Sequence, residues 1–140
     1  MVDALARPVP VTLLAGFLGS GKTTLLNHLL GGLPDRRVAI LVNDFGDLNV
    51  DADLVISKDA DVLRMEGGCI CCTMQGGMTS ALSYLVGRDE PPEQIFIEAS
   101  GISDPMPIAA QMMMPGLQSH LRLDSVLTVI DAERAPYNDE

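Results

Sequence analysis

The run Gly16-Phe17-Leu18-Gly19-Ser20-Gly21-Lys22-Thr23 fits G-x-x-x-x-G-K-[ST], and its flanks leave few folds open. Ahead of it stands VPVTLLA (9–15), short and almost wholly apolar, as suits a strand buried on both faces of a parallel sheet. Behind it the leucines at 25, 26, 29, 30 and 33 recur at helical spacing, and Gly31, Gly32 and Pro34 supply a stop. A strand that turns through glycines straight into a helix is a phosphate cradle. Gly16, Gly19, Ser20 and Gly21 form the curl whose backbone N–H groups converge on phosphate oxygens, and the positive end of the helix adds to the field. Lys22 supplies a mobile positive charge, the Thr23 hydroxyl is placed to hold Mg²⁺, and Thr24 can donate to an α-phosphate. The bland alternative is a glycine-rich strand-to-helix turn that binds nothing.

The rest of the chain continues the alternation of strand and helix. Residues 38–42 (VAILV) repeat the buried-strand pattern and end in Asn43-Asp44-Phe45-Gly46, a polar turn at a strand's carboxyl end, where ligands of α/β sheets gather. The acidic stretch 47–66 reads as an irregular excursion with weak short strands at LVIS and DVLRM. Met78, Ala81, Leu82 and Leu85 form one apolar helix face, ended by Pro91-Pro92. QIFIE (94–98) is a strand, IAAQMMM (108–114) a short helix entered through Asp104-Pro105 and Pro107, and VLTVID (126–131) a last buried strand. The expected fold is α/β: a P-loop NTPase of one domain over residues 1–140, with a mostly parallel sheet between helix layers, stopping just after its last strand.

Glu98 closes QIFIE and is followed by Ala99-Ser100-Gly101, so a carboxylate and a flexible backbone N–H emerge together at the carboxyl edge. This is Walker-B placement: Glu98 could hold Mg²⁺ through water or orient an attacking water, and the Gly101 N–H could sense a γ-phosphate. A solvated glutamate at a strand end is the alternative.

Charge narrows the partners. With 9 basic and 19 acidic side chains the 140-residue chain carries −10, which argues against an electrostatic grip on nucleic acid or anionic lipid. No apolar run approaches the roughly 18 residues that cross a bilayer. Asp3 precedes the apolar run at 9–18 and no small-residue cleavage site precedes GSGKTT, so a cytoplasmic address is expected.

Three cysteines fall within four positions, Cys69, Cys71 and Cys72, too close together to staple a fold. In extended backbone Cys69 and Cys71 share a face while Cys72 points away, so all three converge only if the chain turns, which Gly67 and Gly68 make easy. Three thiolates would then hold a Zn²⁺ and leave a tetrahedral position for which Asp44 is a candidate. Soft sulfur favours Zn²⁺ or Cu(I), with Co²⁺ and Fe²⁺ also open by ligand type. Three buried small hydrophobes and a redox dithiol are the alternatives. Met106, Met112, Met113 and Met114 read as gap-filling core rather than copper ligands, and His28 and His120 as structural or exposed.

GFLGSGKTTLLNHLL, NDFG, GGCICCT, EASGISDP and VLTVIDA, in this order and at these separations, resemble the CobW-type P-loop GTPases, which include cobalamin-synthesis and zinc metallochaperone proteins. The likeness runs from about Val9 to Ala132, and CICC is its most distinctive piece. It implies slow GTP hydrolysis linked to binding and delivery of a transition metal, commonly zinc, with cobalt handling for cobalamin as the family's alternative. It would make Gly16 to Thr24 the phosphate and Mg²⁺ site, Asp44 the switch carboxylate, Cys69, Cys71 and Cys72 the metal ligands, and Glu98 to Gly101 the Walker-B and switch segment. Asp44 stands where the family usually has Glu, one methylene longer, and EASG replaces the commoner ETSG. A guanine-reading NKxD-type motif and the family's carboxyl-terminal domain are absent, so the expectation is the amino-terminal part of a longer protein, reading GTP against ATP poorly. Expected partners are GTP, the metal ion, an unidentified recipient metalloprotein and a second copy of the chain. The rival readings are a P-loop kinase or dimeric ATPase, a metal or redox module without nucleotide turnover, and an incomplete sheet that folds poorly alone.

Overall fold

The computed structural model describes residues 7–16, 21–33, 35–44, 60–66, 75–98 and 106–133. Eight elements follow one another: β1 (Val9–Gly16), α1 (Lys22–Gly31), β2 (Val38–Asp44), β3 (Ala60–Glu66), α2 (Gln75–Val86), β4 (Gln94–Glu98), α3 (Met106–Met112) and β5 (Leu121–Val129). The strands form one sheet in the order β3-β2-β4-β1-β5, and all four pairings are parallel.

The alternation of side chains along these nearly all-apolar strands sorts the core into two layers. Val9, Val11 and Leu13 of β1, Ala39 and Leu41 of β2, and Ile95 and Ile97 of β4 pack with Met78, Leu82 and Leu85 of α2 and with Ile108 and Met112 of α3. The intervening residues Leu14, Val38, Ile40, Val42 and Phe96 pack on Leu26 and Leu30 of α1. The result is a three-layer domain. A strand buried on both faces needs apolar residues at every position, which is why VAILV and QIFIE read as continuous runs.

The placement of the helices creates a crevice. From β1 the chain leaves through α1 on one face and returns at β2, whereas from the neighbouring β4 it leaves through α3 on the other face and returns at β5. Connections that part to opposite faces from adjacent strands open a gap at the carboxyl edge, the usual ligand position of such sheets.

β2 runs on to Asp44, so Asn43 and Asp44, expected in a turn, are the end of the strand; β3, β5 and α3 also differ from the sequence reading. β3 is a full strand, paired with β2 from Val38↔Ala60 to Asp44↔Glu66, where a weak short strand was expected. It is an edge strand, and such strands tolerate the polar residues Asp61, Arg64 and Glu66 that disguise it. The LVIS segment lies outside the described residues. β5 starts five residues earlier than expected, at Leu121, and is largely exposed rather than buried. Arg122, Asp124 and Ser125 interrupt its apolar pattern, and the register shift between Val11 and Thr12 leaves Asp124 as the extra residue on β5. α3 spans 106–112 rather than 108–114; Pro107 fits its first turn, and the bonds Met113 N to Ala110 O (3.1 Å) and Met114 N to Gln111 O (3.2 Å) tighten its end. Of the four methionines expected as core, Met112 is buried, while Met106, Met113 and Met114, at or beyond the ends of this short helix, are exposed.

Candidate functional site

Gly16 ends β1 at φ 139° and Gly21 opens α1 at φ 102°, both in the region that favours glycine, so the two described glycines of the cradle are required by backbone shape. Gly21 is the N-cap of α1, and its carbonyl accepts the first helical bond, from Leu25 N at 2.9 Å. It offers no side-chain cap, and the first turn holds no acid. The amino-terminal N–H groups thus keep their pull on an external anion, undiminished by an internal carboxylate.

Lys22, the first residue of α1, is 6% exposed, and its Nζ donates to the Gly16 carbonyl at 2.8 Å. The ammonium is folded back over the start of its own loop. Burial pulls its pKa below the ordinary 10.5, and the negative charge of Glu98 pulls the other way. Glu98 is itself 6% exposed, at the end of β4 in register with Leu14 of β1 and Val42 of β2. A buried carboxylate and a buried ammonium therefore share the mouth of the crevice. That is a different environment from the solvated strand-end glutamate of the bland reading.

Asp44 ends β2, paired with Glu66 at the end of β3, so both residues lie along the same carboxyl edge as Gly16 and Glu98. Thr23 lies on α1 and Thr24, one residue on, is exposed; Thr23 and Asp44 are described by their backbones alone. Gly19, Ser20, Gly101, Cys69, Cys71 and Cys72 lie outside the described residues; in sequence only Gly67 and Gly68 stand between Glu66, the end of β3, and Cys69. Among the described residues no three His, Cys, Asp or Glu side chains gather as metal ligands. His28 and His120 are exposed. A neighbour of the site not visible in the sequence is Val129, the end of β5, whose Cγ1 lies 4.0 Å from where a Cβ on Gly21 would stand. Only the strand order and register reveal it.

Residues 10–140 match the CobW/HypB/UreG nucleotide-binding domain. The chain belongs to that family. Within it, the chain is 36% identical over 130 residues to the zinc chaperone CobW of a Sinorhizobium species, covering 89% of this chain and 37% of the relative. It is 34% identical over 142 residues to the zinc-regulated GTPase metalloprotein activator 1 of Dictyostelium discoideum, covering 88% and 30%. A crystal structure of a zinc-bound triple mutant of the YjiA GTPase superposes with a TM-score of 0.65 at 28% identity, covering 94% of this chain and 43% of that one. The chain thus spans less than half the length of each of these relatives. Among the described residues no helix is long and apolar enough to cross a membrane.

Proposed function

We propose that the chain is the nucleotide-binding part of a GTP-driven zinc metallochaperone. The observation that carries this is the buried Lys22, held on the Gly16 carbonyl beside an uncapped helix start and within the field of Glu98. A buried ammonium held on a backbone carbonyl can exchange that carbonyl for phosphate oxygens, whose charge strengthens the bond. Gly16, Gly19, Ser20, Gly21, Thr24 and Gly101 complete the phosphate contacts in this reading. Thr23 and Glu98 would hold Mg²⁺, which when bound neutralises charge on the β and γ oxygens. The residue types fit: a buried carboxylate at the strand end is a hard oxygen donor of the kind Mg²⁺ takes.

In hydrolysis water attacks the γ-phosphorus, the bond from that phosphorus to the β,γ-bridging oxygen breaks, and GDP and phosphate leave. Lys22 bears on the charge of the transferred group, while Glu98 orients the water and Asp44 acts as the switch carboxylate. None of the segments 16–24, 43–46 and 98–101 contains a Gln or Arg to position the water or act as an arginine finger, so turnover is slow unless a partner supplies one. The cargo is zinc, held by Cys69, Cys71 and Cys72 and passed to a recipient metalloprotein. The thiolate reading rests on residue type and on the zinc-named relatives. β3 leads the chain to the same edge as Asp44 just before the cysteines, so nucleotide and metal segments start from neighbouring strands. The test is single-turnover GTP hydrolysis by the intact protein and by Lys22→Ala. The variant should lose both nucleotide binding and turnover; unchanged rates would remove the loop from the reaction.

A further inference from the structure

We propose that Val129, the last residue of β5, is a positioning residue for the phosphate loop. The inference rests on the reading of residues 16–24 as a nucleotide site. β5 pairs with β1 to the end of both strands, where Val129 is in register with Gly16, the residue whose carbonyl receives Lys22. Its Cγ1 also lies 4.0 Å from the point where a Cβ on Gly21 would stand, so it bounds the open space beside that glycine. Val129 therefore lies beside Gly16 in the sheet and across the open space from Gly21, the two described residues that bracket the loop.

In-register residues of parallel strands share a face, so Thr12 with Ser125, Leu14 with Leu127, and Gly16 with Val129 form three successive steps up the α1 side of the sheet. Leu127 is exposed, whereas Val129, one step nearer the loop, is half-buried. Gly21 at φ 102° has neither a side chain to pack nor a side-chain cap to hold it. Val129 forms, from a neighbouring strand, a wall to the space beside Gly21, and its β-branch restricts χ1, which makes that wall stiff. Because Gly21 aims the first N–H groups of α1 and precedes Lys22, its conformation governs where the phosphate donors point. Removal of the wall lets the donors drift without deleting any of them.

The experiment is titration of a guanine nucleotide with Mg²⁺ into the intact protein and into Val129→Ala, Val129→Thr and Leu127→Ala, repeated with inorganic pyrophosphate as the probe. Val129→Ala should weaken both probes by roughly three- to tenfold, a modest misplacement of donors. Val129→Thr keeps the branched shape and should stay within about twofold of the parent, as should Leu127→Ala, which trims the same strand face one step away from the loop. Equal losses in Val129→Ala and Leu127→Ala would assign the effect to β5 stability and overturn the proposal, as would parent-like binding by Val129→Ala. A loss confined to the nucleotide and absent with pyrophosphate would overturn it too, by placing Val129 at the base. Failure of the parent protein itself to bind either probe would instead refute the nucleotide-site reading beneath it.

Discussion

β4 and β5 flank β1 on opposite sides, both parallel to it and both rich in branched aliphatic residues, yet they live in different surroundings. In β4, Ile95, Phe96, Ile97 and Glu98 are all buried; in β5, Leu123 is 40% and Val126 43% exposed. Hydropathy alone does not separate them. What separates them is coverage, because α1 on one face and α2 with α3 on the other close over β1, β2 and β4, while α3 and the turn after it shield β5 mainly at its start, where Leu121 is buried. The strand under both layers can carry a buried carboxylate to the crevice. The uncovered strand meets the site only at its last residue.

The largest effect that sharpens this contrast is on stability. Ile97→Ala, at a fully buried position, should destabilise the fold by about 3–4 kcal/mol in denaturant titration. Val126→Ala on β5 should cost under about 1 kcal/mol. Comparable losses would mean that β5 is covered in solution.

A smaller effect comes from Lys22, buried at the start of α1. Burial lowers its folded pKa below 10.5, so it releases its proton at a lower pH in the folded chain than in the unfolded one. Between that lowered value and 10.5 the unfolded state binds more protons, and stability therefore rises with pH across this window. Nucleotide affinity falls over the same window as the charge is lost. Thermal melts and nucleotide titrations along an alkaline series check both trends, and Lys22→Met should show neither.

The smallest effects test the seam between the two strands. Thr12 Oγ1 accepts from Gln94 Nε2 of β4 at 3.1 Å and is bonded to Ser125 Oγ of β5 at 3.2 Å. Thr12→Val removes both bonds and should cost about 1–2 kcal/mol, whereas Ser125→Ala removes one half-exposed partner and should cost about 0.5 kcal/mol. Denaturant midpoints of the two variants give the ordering; a larger loss from Ser125→Ala would place the seam's anchor on β5 instead.

Much of the architecture was legible because periodicity and punctuation agree at each step. QIFIE delimits β4 with the same bounds, the spacing of Met78, Ala81, Leu82 and Leu85 marks α2, and the glycines at 16 and 21 mark the turn that needs positive φ. The edge strands were less legible, since residues such as Asp61 and Arg64 in β3 or Arg122 and Asp124 in β5 break the apolar run while leaving the backbone free to pair. For the site, sequence placed Lys22 and Glu98 at one edge, but not the bond to the Gly16 carbonyl or the depth of Glu98, which follow from how α1 and β4 pack. Val129 was invisible because its role depends on which strand lies beside β1. Asp44, expected in the turn after a strand, is instead that strand's last residue, at the same edge, and the cysteines lie outside the described residues.

Because β2 and β3 deliver the proposed nucleotide and metal segments to one edge of the sheet, the proposed function requires nucleotide and zinc to act on one another there. The most direct test of this coupling is isothermal titration of Zn²⁺ into the reduced protein, with and without Mg²⁺ and a non-hydrolysable GTP analogue. The account predicts at least a tenfold shift in zinc affinity, about 1.4 kcal/mol of coupling, mirrored by an equal shift in nucleotide affinity when zinc is bound. Zinc affinity that is the same in both titrations would contradict it.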